Sequence, residues 1–448
     1  MTLAAVSPQT TALIIVLIAV LSLIVMIAWV KVQPLLAFIM ASIFAAILLQ
    51  MPLEKVTQSI ERGIGDMVGS LAVLLAFGAI FGKIVADSGA AKKISSVLIG
   101  AFGAKRIALA LCLTGFIVGI PLFYNVGFVL LVPLIFSVWR QSGKPIVYLA
   151  VPVMAGLSIA HGFLPPHPSP AAIVPMFGAN MGLTLIYGLI VGVPTALIAG
   201  PLFALSVKHI QANPPKLFVA EEVADDRLPS TANSFLTALL PVILLTGFTL
   251  LGYWNGLDAH GRALVAFLGN PMIVMLISVM VALVTLGVGR GIKLDDLMAG
   301  SGTALREIAP ILLIIAGAGA LKQIFVDGGV NDQLGALLKS LPVPPLVLGW
   351  LIAGVIRLAL GSATVAGLTA AGLVAPLVKI SGVDPNLMVL AVGAGSLMFS
   401  HVNDSGFWMF KEYFGLSVKD TLRSWTLMEG LVGIFGLIFT LMLSRLVS

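Results

Sequence analysis

The segment IAHGFLPPHPSPAAIV, residues 159–174, interrupts a strongly apolar part of the chain. It holds two histidines and four prolines, namely His161, His167, Pro165, Pro166, Pro168 and Pro170. Proline removes a backbone N–H donor and clashes with the preceding turn, so a helix cannot continue unbroken through this segment. The apolar runs on both sides are typical of helices that cross a membrane. The segment therefore predicts a helix that is interrupted at membrane depth.

The composition indicates a polytopic membrane protein. Of the 448 residues, 59% are apolar and only 10% are charged, whereas soluble domains carry about 25% charged residues. Apolar runs of about 20 residues recur along the chain, and each is long enough to cross a hydrocarbon core of about 30 Å as a helix. The net charge of +6 is spread among loops, so it reports membrane topology rather than a nucleic-acid surface. The lipid bilayer is the expected partner, and nucleic acid is not.

The first ten residues and the cysteine content narrow the class of membrane protein further. The first ten residues contain no Lys or Arg, and a full-length apolar run follows them, so we expect no cleaved signal peptide. The single cysteine, Cys112, lies in an apolar segment. One thiol excludes an intramolecular disulfide, a cysteine zinc cluster and an iron–sulfur site. No metal and no cofactor are expected.

The chain contains two halves of similar sequence. The segment FGKIVADSGA, which ends at Ala90, matches LKQIFVDGGV, which ends at Val330, and the same offset of 240 residues pairs His161 with His401. Ordered matches at a nearly constant spacing indicate an internal duplication, which is typical of transporters. A hydrophilic stretch rich in Pro, Ser and acidic residues separates the halves and indicates a linker. We expect a first repeat, a linker and a second repeat at residues 1–207, 208–235 and 236–448.

Charge placement predicts that the second half is inverted in the membrane relative to the first. The loop after the third span of the first half carries Lys92, Lys93, Lys105 and Arg106, whereas the matching loop of the second half carries only Lys339. The positive-inside rule places loops rich in Lys and Arg in the cytoplasm. The two matching loops are therefore expected on opposite sides of the membrane.

Each half is expected to contain one re-entrant helical hairpin. The apolar run at residues 107–138 has basic residues at both ends, so both ends are predicted to face the cytoplasm. Its 32 residues are too few for two crossings and too many for one, at about 1.5 Å per residue. The counterpart at residues 346–378 has nearly the same length, and the tips fall near residues 119–127 and 360–367. The expected fold is all-α, with two inverted repeats, about ten transmembrane helices, two hairpins, two broken helices and both termini outside.

The two helix breaks are expected to form a polar site. They fall near residues 161–170 and, in the second half, near residues 400–406, within the polar segment SHVNDSGFW. Irregular backbone at membrane depth survives only where protein or a water-filled cavity satisfies its N–H and C=O groups. A break also leaves half-helix N-termini, whose dipoles favour an anion. Two breaks and two hairpin tips that meet near the midplane are the arrangement of many secondary transporters.

With these segments in view, the chain resembles the gluconate permease family of proton-coupled sugar-acid symporters, within the larger ion transporter superfamily. The resemblance covers nearly the whole chain. Its motifs are FGKIVADSGA at 81–90, LTGFIVGIPLFYNVGFVLLVPL at 113–134, HGFLPPHPSPAAI at 161–173, AGPLFA at 199–204, RLALGSATVAGLTAAG at 357–372 and SHVNDSGFWMFKEYFGLS at 400–417.

The resemblance implies uptake of gluconate or a related hydroxy-acid anion, coupled to protons, across the bacterial cytoplasmic (inner) membrane. Distant members of the superfamily bind carboxylates at two hairpin tips, form homodimers and move by an elevator-type displacement. The chain departs from the family at Asn125, where many relatives carry an acidic residue. A carboxyl group that could carry a proton or bind a substrate hydroxyl is therefore absent at this position.

Eight residues are candidate substrate ligands. A small hydroxy acid needs a cationic or N–H-rich pocket for its carboxylate and neutral hydrogen-bonding groups for its hydroxyls. Arg357 lies inside the apolar run of the second hairpin and is expected either to bind the carboxylate or to neutralise Asp404. For the other polar residues, interhelical packing and hydrogen bonding at the breaks are the alternative roles. The set is Tyr124, Asn125, His161, Arg357, Ser362, Thr364, His401 and Asn403.

Four residues are candidate proton carriers. A carboxylate such as that of Asp404 is costly at membrane depth and is by default a functional hypothesis. Imidazole binds and releases protons near neutral pH, and His161 and His401 occupy matched positions in the two halves. A helix cap by Asp404 and structural hydrogen bonds by the histidines are the alternatives. The set is Asp404, His161, His167 and His401.

Three other functions compete with gluconate symport. Idonate, fructuronate, glycerate and D-serine are cargoes that the resemblance also allows. A membrane-embedded enzyme could use His401 and Asp404 for acid–base chemistry, but no nucleophile elbow, metal-ligand spacing or nucleotide loop supports it. A channel is the third rival, and two opposed hairpins around a closed site favour alternating access over an open pore.

Overall fold

The computed structural model of the chain describes residues 8–212, 228–330, 343–402 and 404–447. Every regular element within these ranges is a helix, and they contain no strand. The predicted all-α class is therefore confirmed. The expected linker lies largely outside the described residues, as does Lys339.

The described part of the first half, residues 8–207, contains ten α-helices. Proline opens α2 and α8, because the first helical position needs no N–H donor, and five-residue π-helical turns at Val25–Trp29 and Ile198–Leu202 follow α1 and α9. The bounds are α1 Pro8–Ile24, α2 Pro34–Leu48, α3 Leu53–Asp87, α4 Ala90–Phe102, α5 Ile107–Gly119, α6 Tyr124–Ser142, α7 Ile146–Phe163, α8 Pro168–Phe177, α9 Met181–Leu197 and α10 Phe203–Val207.

The described part of the second half also contains ten α-helices. Proline again opens three of them, α13, α15 and α17, and π-helical turns at Leu283–Gly287 and Leu422–Thr426 follow α13 and α19. The bounds are α11 Thr231–Gly252, α12 Ala259–Leu268, α13 Pro271–Ala282, α14 Leu294–Asp327, α15 Pro345–Leu360, α16 Ala363–Ser381, α17 Pro385–Leu397, α18 Ser405–Phe414, α19 Val418–Thr421 and α20 Leu427–Val447.

Eight helical stretches among the described residues are long and apolar enough to cross a membrane. Shorter apolar helices accompany them, including α5 and α15, which belong to the two helix pairs at the expected hairpins. At about 1.5 Å per residue, the 13 residues of α5 are too short to cross a hydrocarbon core. The eight stretches are Leu53–Asp87, Ile146–Phe177, Met181–Val207, Thr231–Gly252, Pro271–Arg290, Leu294–Asp327, Ala363–Ser381 and Val418–Val447.

The longest helices, α3 and α14, pack against each other in opposite directions. Ser59, near the start of α3, donates a hydrogen bond of 2.6 Å to Asp327 at the end of α14. Arg290, just before α14, donates one of 2.9 Å to the carbonyl of Ser88, just after α3. These helices end in the matching segments of the two halves, and an inverted duplication requires them to be antiparallel. Inversion of the complete halves stays a prediction.

Residues 90–102 form helix α4, although the sequence analysis treated them as a loop with Lys92 and Lys93. Ala90, Ala91 and Ile94 are buried on one side of this helix, and such a one-sided apolar face stabilises a helix against its neighbours. Lys92 and Lys93 in this helix, together with Lys105 and Arg106 just after it, give this part of the sequence a charge that is typical of a loop and obscure the apolar face.

Both helix breaks have a local chemical cause. In the first, α7 ends at Phe163 and α8 begins at Pro168, so the proline cluster fills the gap. In the second, Phe399 adopts a positive φ of 47°, which a helix cannot accommodate. The carboxylate of Asp404 then caps α18 by accepting the N–H of Gly406 at 2.9 Å.

The first broken helix, α7–α8, lies inside the protein rather than at its outer surface. Of the 18 most apolar consecutive residues of the stretch Ile146–Phe177, 89% are buried inside the protein. The corresponding share for α11 is 22%. Helices α16 and α17 pack against α8 on the same inner side. This placement surrounds the irregular backbone with protein, which a break at membrane depth requires.

Candidate functional site

A cavity of about 710 Å³ lies between the helix pairs α5–α6 and α15–α16 and the broken helices α7–α8 and α17–α18. Each of these four elements contributes residues to its wall, together with α3, α14 and the α19–α20 segment. The polar and aromatic residues of the inner wall are Tyr124, Asn125, Ser158, His161, Arg357, Ser362, Thr364, Asp404, Ser405, Trp425 and Glu429. Seven of the predicted site residues thus line one cavity: Tyr124, Asn125, His161, Arg357, Ser362, Thr364 and Asp404.

The first tip places Tyr124 and Asn125 at the start of α6. Phe123 precedes them in an extended conformation, so the helix begins at Tyr124 and directs its first turn toward the cavity. The ring of Tyr124 meets the ring of His161 edge-on, with centroids 5.8 Å apart. It also meets Trp425 edge-on at 6.2 Å. These contacts tie the first tip to the first broken helix and to the second half.

The second tip is a tight turn between α15 and α16. Gly361 adopts a φ of 72°, a left-handed conformation that suits glycine, and its N–H donates to the carbonyl of Arg357 at 3.1 Å. Ser362 caps α16, since its hydroxyl accepts the N–H of Val365 at 3.4 Å. The next residues, including Thr364, face the cavity. The start of α16 therefore presents helix N–H groups and two hydroxyls to the same space.

Arg357 and Asp404 form an ion pair in the cavity wall. Only 3% of the arginine side chain and 14% of the aspartate side chain are exposed. The Asp404 carboxylate also accepts a hydrogen bond from Ser400, whose hydroxyl accepts the indole N–H of Trp425 at 2.8 Å. Since Gly406 donates to the other carboxylate oxygen, Asp404 is held by three donors.

Arg357 keeps hydrogen-bonding capacity beyond this ion pair. Its Nη2 contacts Asp404, whereas its Nε and Nη1 have no hydrogen-bond partner among the described residues. Buried polar groups in proteins are nearly always hydrogen-bonded, so these two donors are suited to bind a polar group that enters the cavity. The two roles expected for Arg357 are thus compatible: it neutralises Asp404 and still offers two donors.

The histidines occupy three different environments. His161 lines the cavity and its Nδ1 has no partner among the described residues. His167 is buried behind it, with ring centroids 5.2 Å apart, and its Nε2 lies 2.7 Å from the carbonyl oxygen of Gly119. His401 is outside the cavity wall, and its Nε2 lies 3.1 Å from the carbonyl oxygen of Leu358. Asn403, a predicted site residue of the second break, lies outside the described residues.

Glu429 is a cavity residue that the sequence analysis missed. It lies in the first turn of α20, only 2% of it is exposed, and its Oε1 accepts the hydroxyl of Ser158 at 2.5 Å. Its Oε2 has no hydrogen-bond partner among the described residues. A signal for it was present, because Glu429 is the one charged residue between positions 424 and 444 and a carboxyl group in an apolar span is costly. Ser158 and Trp425, by contrast, carry no signal that separates them from ordinary helix residues.

The outer part of the cavity is more exposed and has charges of its own. Lys83 and Asp87 near the end of α3 form an i,i+4 ion pair of 3.0 Å, and their side chains are 31% and 51% exposed. Glu307 of α14 is also exposed there. Exposed pairs of this kind contribute little to stability. No cluster of three or more potential metal ligands occurs among the described residues.

Comparisons with a family model and with individual proteins point to the same family. A family model described as GntP family permease matches residues 11–447. The chain is 45% identical over 367 residues to the Gnt-II system L-idonate transporter of Escherichia coli, covering 82% of this chain and 84% of that one. It is 43% identical over 436 residues to a gluconate permease of Pseudomonas aeruginosa, covering 96% of both.

A solved structure has a similar fold. The Alcanivorax borkumensis YdaH transporter superposes with a TM-score of 0.67 over 93% of this chain and 98% of its own, at 17% identity. A likeness at this identity concerns the fold alone.

Proposed function

We propose, since the chain belongs to the GntP family of permeases, that it imports gluconate or a closely related sugar acid together with protons. Members of this family are permeases, so the chain is a transport protein and not an enzyme. Its bacterial relatives and its apolar helices make it a multi-pass protein of the cytoplasmic (inner) membrane. The exact cargo, the coupling to protons, the homodimer and the elevator-type movement are parts of the proposal.

The observation that carries the cargo assignment is the pair of unpartnered donors on buried Arg357. A planar guanidinium carries N–H donors along each of its edges, and the unpartnered Nε and Nη1 can each donate a charge-assisted hydrogen bond to a carboxylate. The cavity volume of about 710 Å³ lies within the usual range for small-molecule sites, roughly 300–1,000 Å³. A small organic anion is therefore the expected partner of this site.

The remaining cavity residues suit a polyol chain. Asn125 on the first tip and Ser362 and Thr364 on the second offer amide and hydroxyl groups that can donate or accept hydrogen bonds. These neutral groups lie on elements from both halves, so a bound sugar acid would connect the two tips. Gluconate, with one carboxylate and several hydroxyls, fits this division between Arg357 and the neutral residues.

Alternating access follows if the tips move relative to α3 and α14. Each tip is a short turn between helices, and each faces one shared cavity. In secondary transporters a central site of this kind opens to one side at a time as one part moves against the other. No cofactor is proposed, and the proton is the coupling ion, with Asp404, His161, His167 and His401 as the carriers that the sequence suggests.

Uptake into proteoliposomes tests the proposal. Under an inwardly directed proton gradient, labelled gluconate is expected to accumulate in a saturable manner and to leak out again when a protonophore is added. Asp404→Asn should abolish accumulation, because the substitution leaves the buried Arg357 charge without its counter-ion. Asp295→Asn changes an exposed carboxyl at the start of α14 and serves as the matched control.

The alternatives give different results in the same assay. A channel would show flux that does not saturate and no accumulation against a gluconate gradient. A membrane-embedded enzyme that uses His401 and Asp404 would release a chemically altered product. Competition by idonate, fructuronate, glycerate and D-serine then ranks the cargoes, and preference for any of these over gluconate would correct the assignment.

A further inference from the structure

Glu429 is the most deeply buried carboxyl group of the cavity wall. Its exposed fraction is 2%, compared with 14% for the side chain of Asp404. It is placed where the π-helical turn Leu422–Thr426 passes into α20. A carboxyl group in this position is costly for the fold, so a function for Glu429 is the default hypothesis.

The hydrogen bonds of the two inner carboxyl groups differ. Asp404 accepts from Arg357, Ser400 and the N–H of Gly406, so its carboxylate form is fully satisfied. Glu429 has one hydrogen bond, to Ser158, and no ion pair among the described residues. Protonation of Asp404 would break contacts that hold α18, whereas protonation of Glu429 would break no ion pair.

The charges around Glu429 come from a small set of elements. Arg357 of α15 and Asp404 act on it electrostatically, and Tyr124 of α6 and His161 of α7 share its cavity wall. Helices α9 and α17, which also pack against α20, contain no charged residue. Arg423, in the π-helical turn before α20, is exposed. Among the described residues, Arg357 is therefore the one buried cation beside the two inner carboxyl groups.

A bound sugar acid changes this balance. When Glu429 is ionised, the substrate carboxylate would be a third negative group around a single guanidinium, in surroundings where charge repulsion is poorly screened. A proton that adds to a carboxylate oxygen of Glu429 removes the excess charge. Because linkage between two ligands is reciprocal, anion binding would then promote proton binding, and proton binding would promote anion binding.

We propose that Glu429 is the proton-binding group of this transporter, with Ser158 holding its carboxyl in place and Asp404 acting as the fixed counter-ion of Arg357. The inference rests on the proposed symport. It separates two tasks among the ionisable groups of the cavity: the Arg357–Asp404 pair binds the anion, and Glu429 carries the proton through the transport cycle.

Two measurements on the purified, full-length protein test this role. In weakly buffered detergent solution at an alkaline starting pH, where Glu429 is ionised before gluconate is added, gluconate binding to the wild type should take up protons, which a pH indicator records. Glu429→Gln should bind gluconate under the same conditions without proton uptake. In proteoliposomes, Glu429→Gln should exchange internal for external gluconate, a process that needs no net proton movement, but should not accumulate gluconate under a proton gradient. Glu412→Gln, a change at an exposed carboxyl paired with Lys411, should behave as the wild type.

The outcomes test the role of Glu429 separately from the proposed transport of gluconate. Gradient-driven accumulation and proton uptake that persist in Glu429→Gln would overturn the assignment, and so would a folded Glu429→Gln that no longer binds gluconate. If Glu429→Gln is not recovered as a monodisperse protein, Glu429→Asp decides: a shifted pH profile of accumulation supports the role, and an unchanged profile opposes it. Absence of gluconate transport in the wild type would instead contradict the proposed function.

Discussion

At the scale of single residues, the site is organised by one buried cation. Arg357 neutralises Asp404 and keeps two donors without a partner among the described residues. Removal of one member of a buried ion pair typically costs about 3–5 kcal/mol, because the other charge is left uncompensated. Arg357 therefore has a structural task as well as a proposed binding task, and a test of binding must keep its charge.

The substitution Arg357→Lys meets this condition. Lysine keeps the positive charge but lacks the planar guanidinium whose Nε and Nη1 would donate to the carboxylate. Loss of one hydrogen bond to a charged group corresponds to about 1.5–3 kcal/mol, which is roughly a 10- to 100-fold weaker affinity for gluconate. Calorimetric titration of the detergent-solubilised protein measures this change.

The control for that experiment is Arg423→Lys, at an exposed position of the π-helical turn before α20. It should leave gluconate affinity unchanged. Equal affinities for the wild type and Arg357→Lys would show that the substrate carboxylate does not use the guanidinium.

The sequence identified the residues whose type is unusual for their surroundings. Arg357 and Asp404 are charges inside apolar runs, and the cost of such charges made them candidates before any coordinates were known. The same rule applies to Glu429, which lies in the sequence outside the helix breaks and hairpin tips where the polar site was predicted. Which polar residues face inward depends on the exact helix boundaries and rotation: His401 shares the repeat position of His161, yet it contacts the carbonyl of Leu358 and lies outside the cavity wall.

At the scale of elements, the cavity is held by close contact between its supporting helices. Helices α5 and α7 pack along their length, and Gly115 and Gly156 form the contact points. A Cβ atom at Gly156 would lie 2.6 Å from the backbone nitrogen of Phe116, which is too close for any side chain. This contact fixes the first hairpin against the first broken helix, so it also fixes the distance between Tyr124 and His161.

We therefore expect Gly156→Ala to destabilise the protein. Overpacking of a tight interface costs about 1–3 kcal/mol, and here the obstructing atoms are backbone atoms that cannot move aside. Thermal unfolding in detergent, followed by intrinsic fluorescence, should show a lower midpoint temperature.

Gly100→Ala provides the matched comparison, since Gly100 lies in α4 with nothing within 4 Å of a Cβ atom. It should be neutral or slightly stabilising, because alanine has the higher helix propensity. A midpoint for Gly156→Ala at or above that of Gly100→Ala would contradict the packing described for α5 and α7.

At the scale of the whole molecule, the antiparallel contact of α3 and α14 is the strongest structural support for inverted halves. The Ser59–Asp327 hydrogen bond joins the start of one helix to the end of the other, and the Arg290–Ser88 bond joins the opposite ends. Sequence patterns could predict the duplication and the charge asymmetry, since both are recorded in residue types. They could not predict helix α4, because polar residues within an amphipathic helix resemble those of a loop.

Cysteine labelling from each side of the membrane tests the inversion. Lys92→Cys and Lys293→Cys are expected to react from the cytoplasm, because Lys92 lies in the basic segment after α3 and Lys293 directly precedes α14. Lys55→Cys, in the first turn of α3, should react from the opposite side, and so should Lys339→Cys on the basis of charge placement. Reaction of Lys92→Cys and Lys55→Cys from one side would contradict the arrangement.

The central claim is that one cavity between both hairpin tips and both helix breaks holds a sugar-acid anion. An experimental map of the protein with bound gluconate tests it most directly. The account predicts density for the carboxylate within about 3 Å of the Arg357 guanidinium, with the hydroxyl chain between Asn125 of the first tip and Thr364 of the second. Gluconate bound elsewhere, or in this cavity without contact to Arg357 and to either tip, would contradict it.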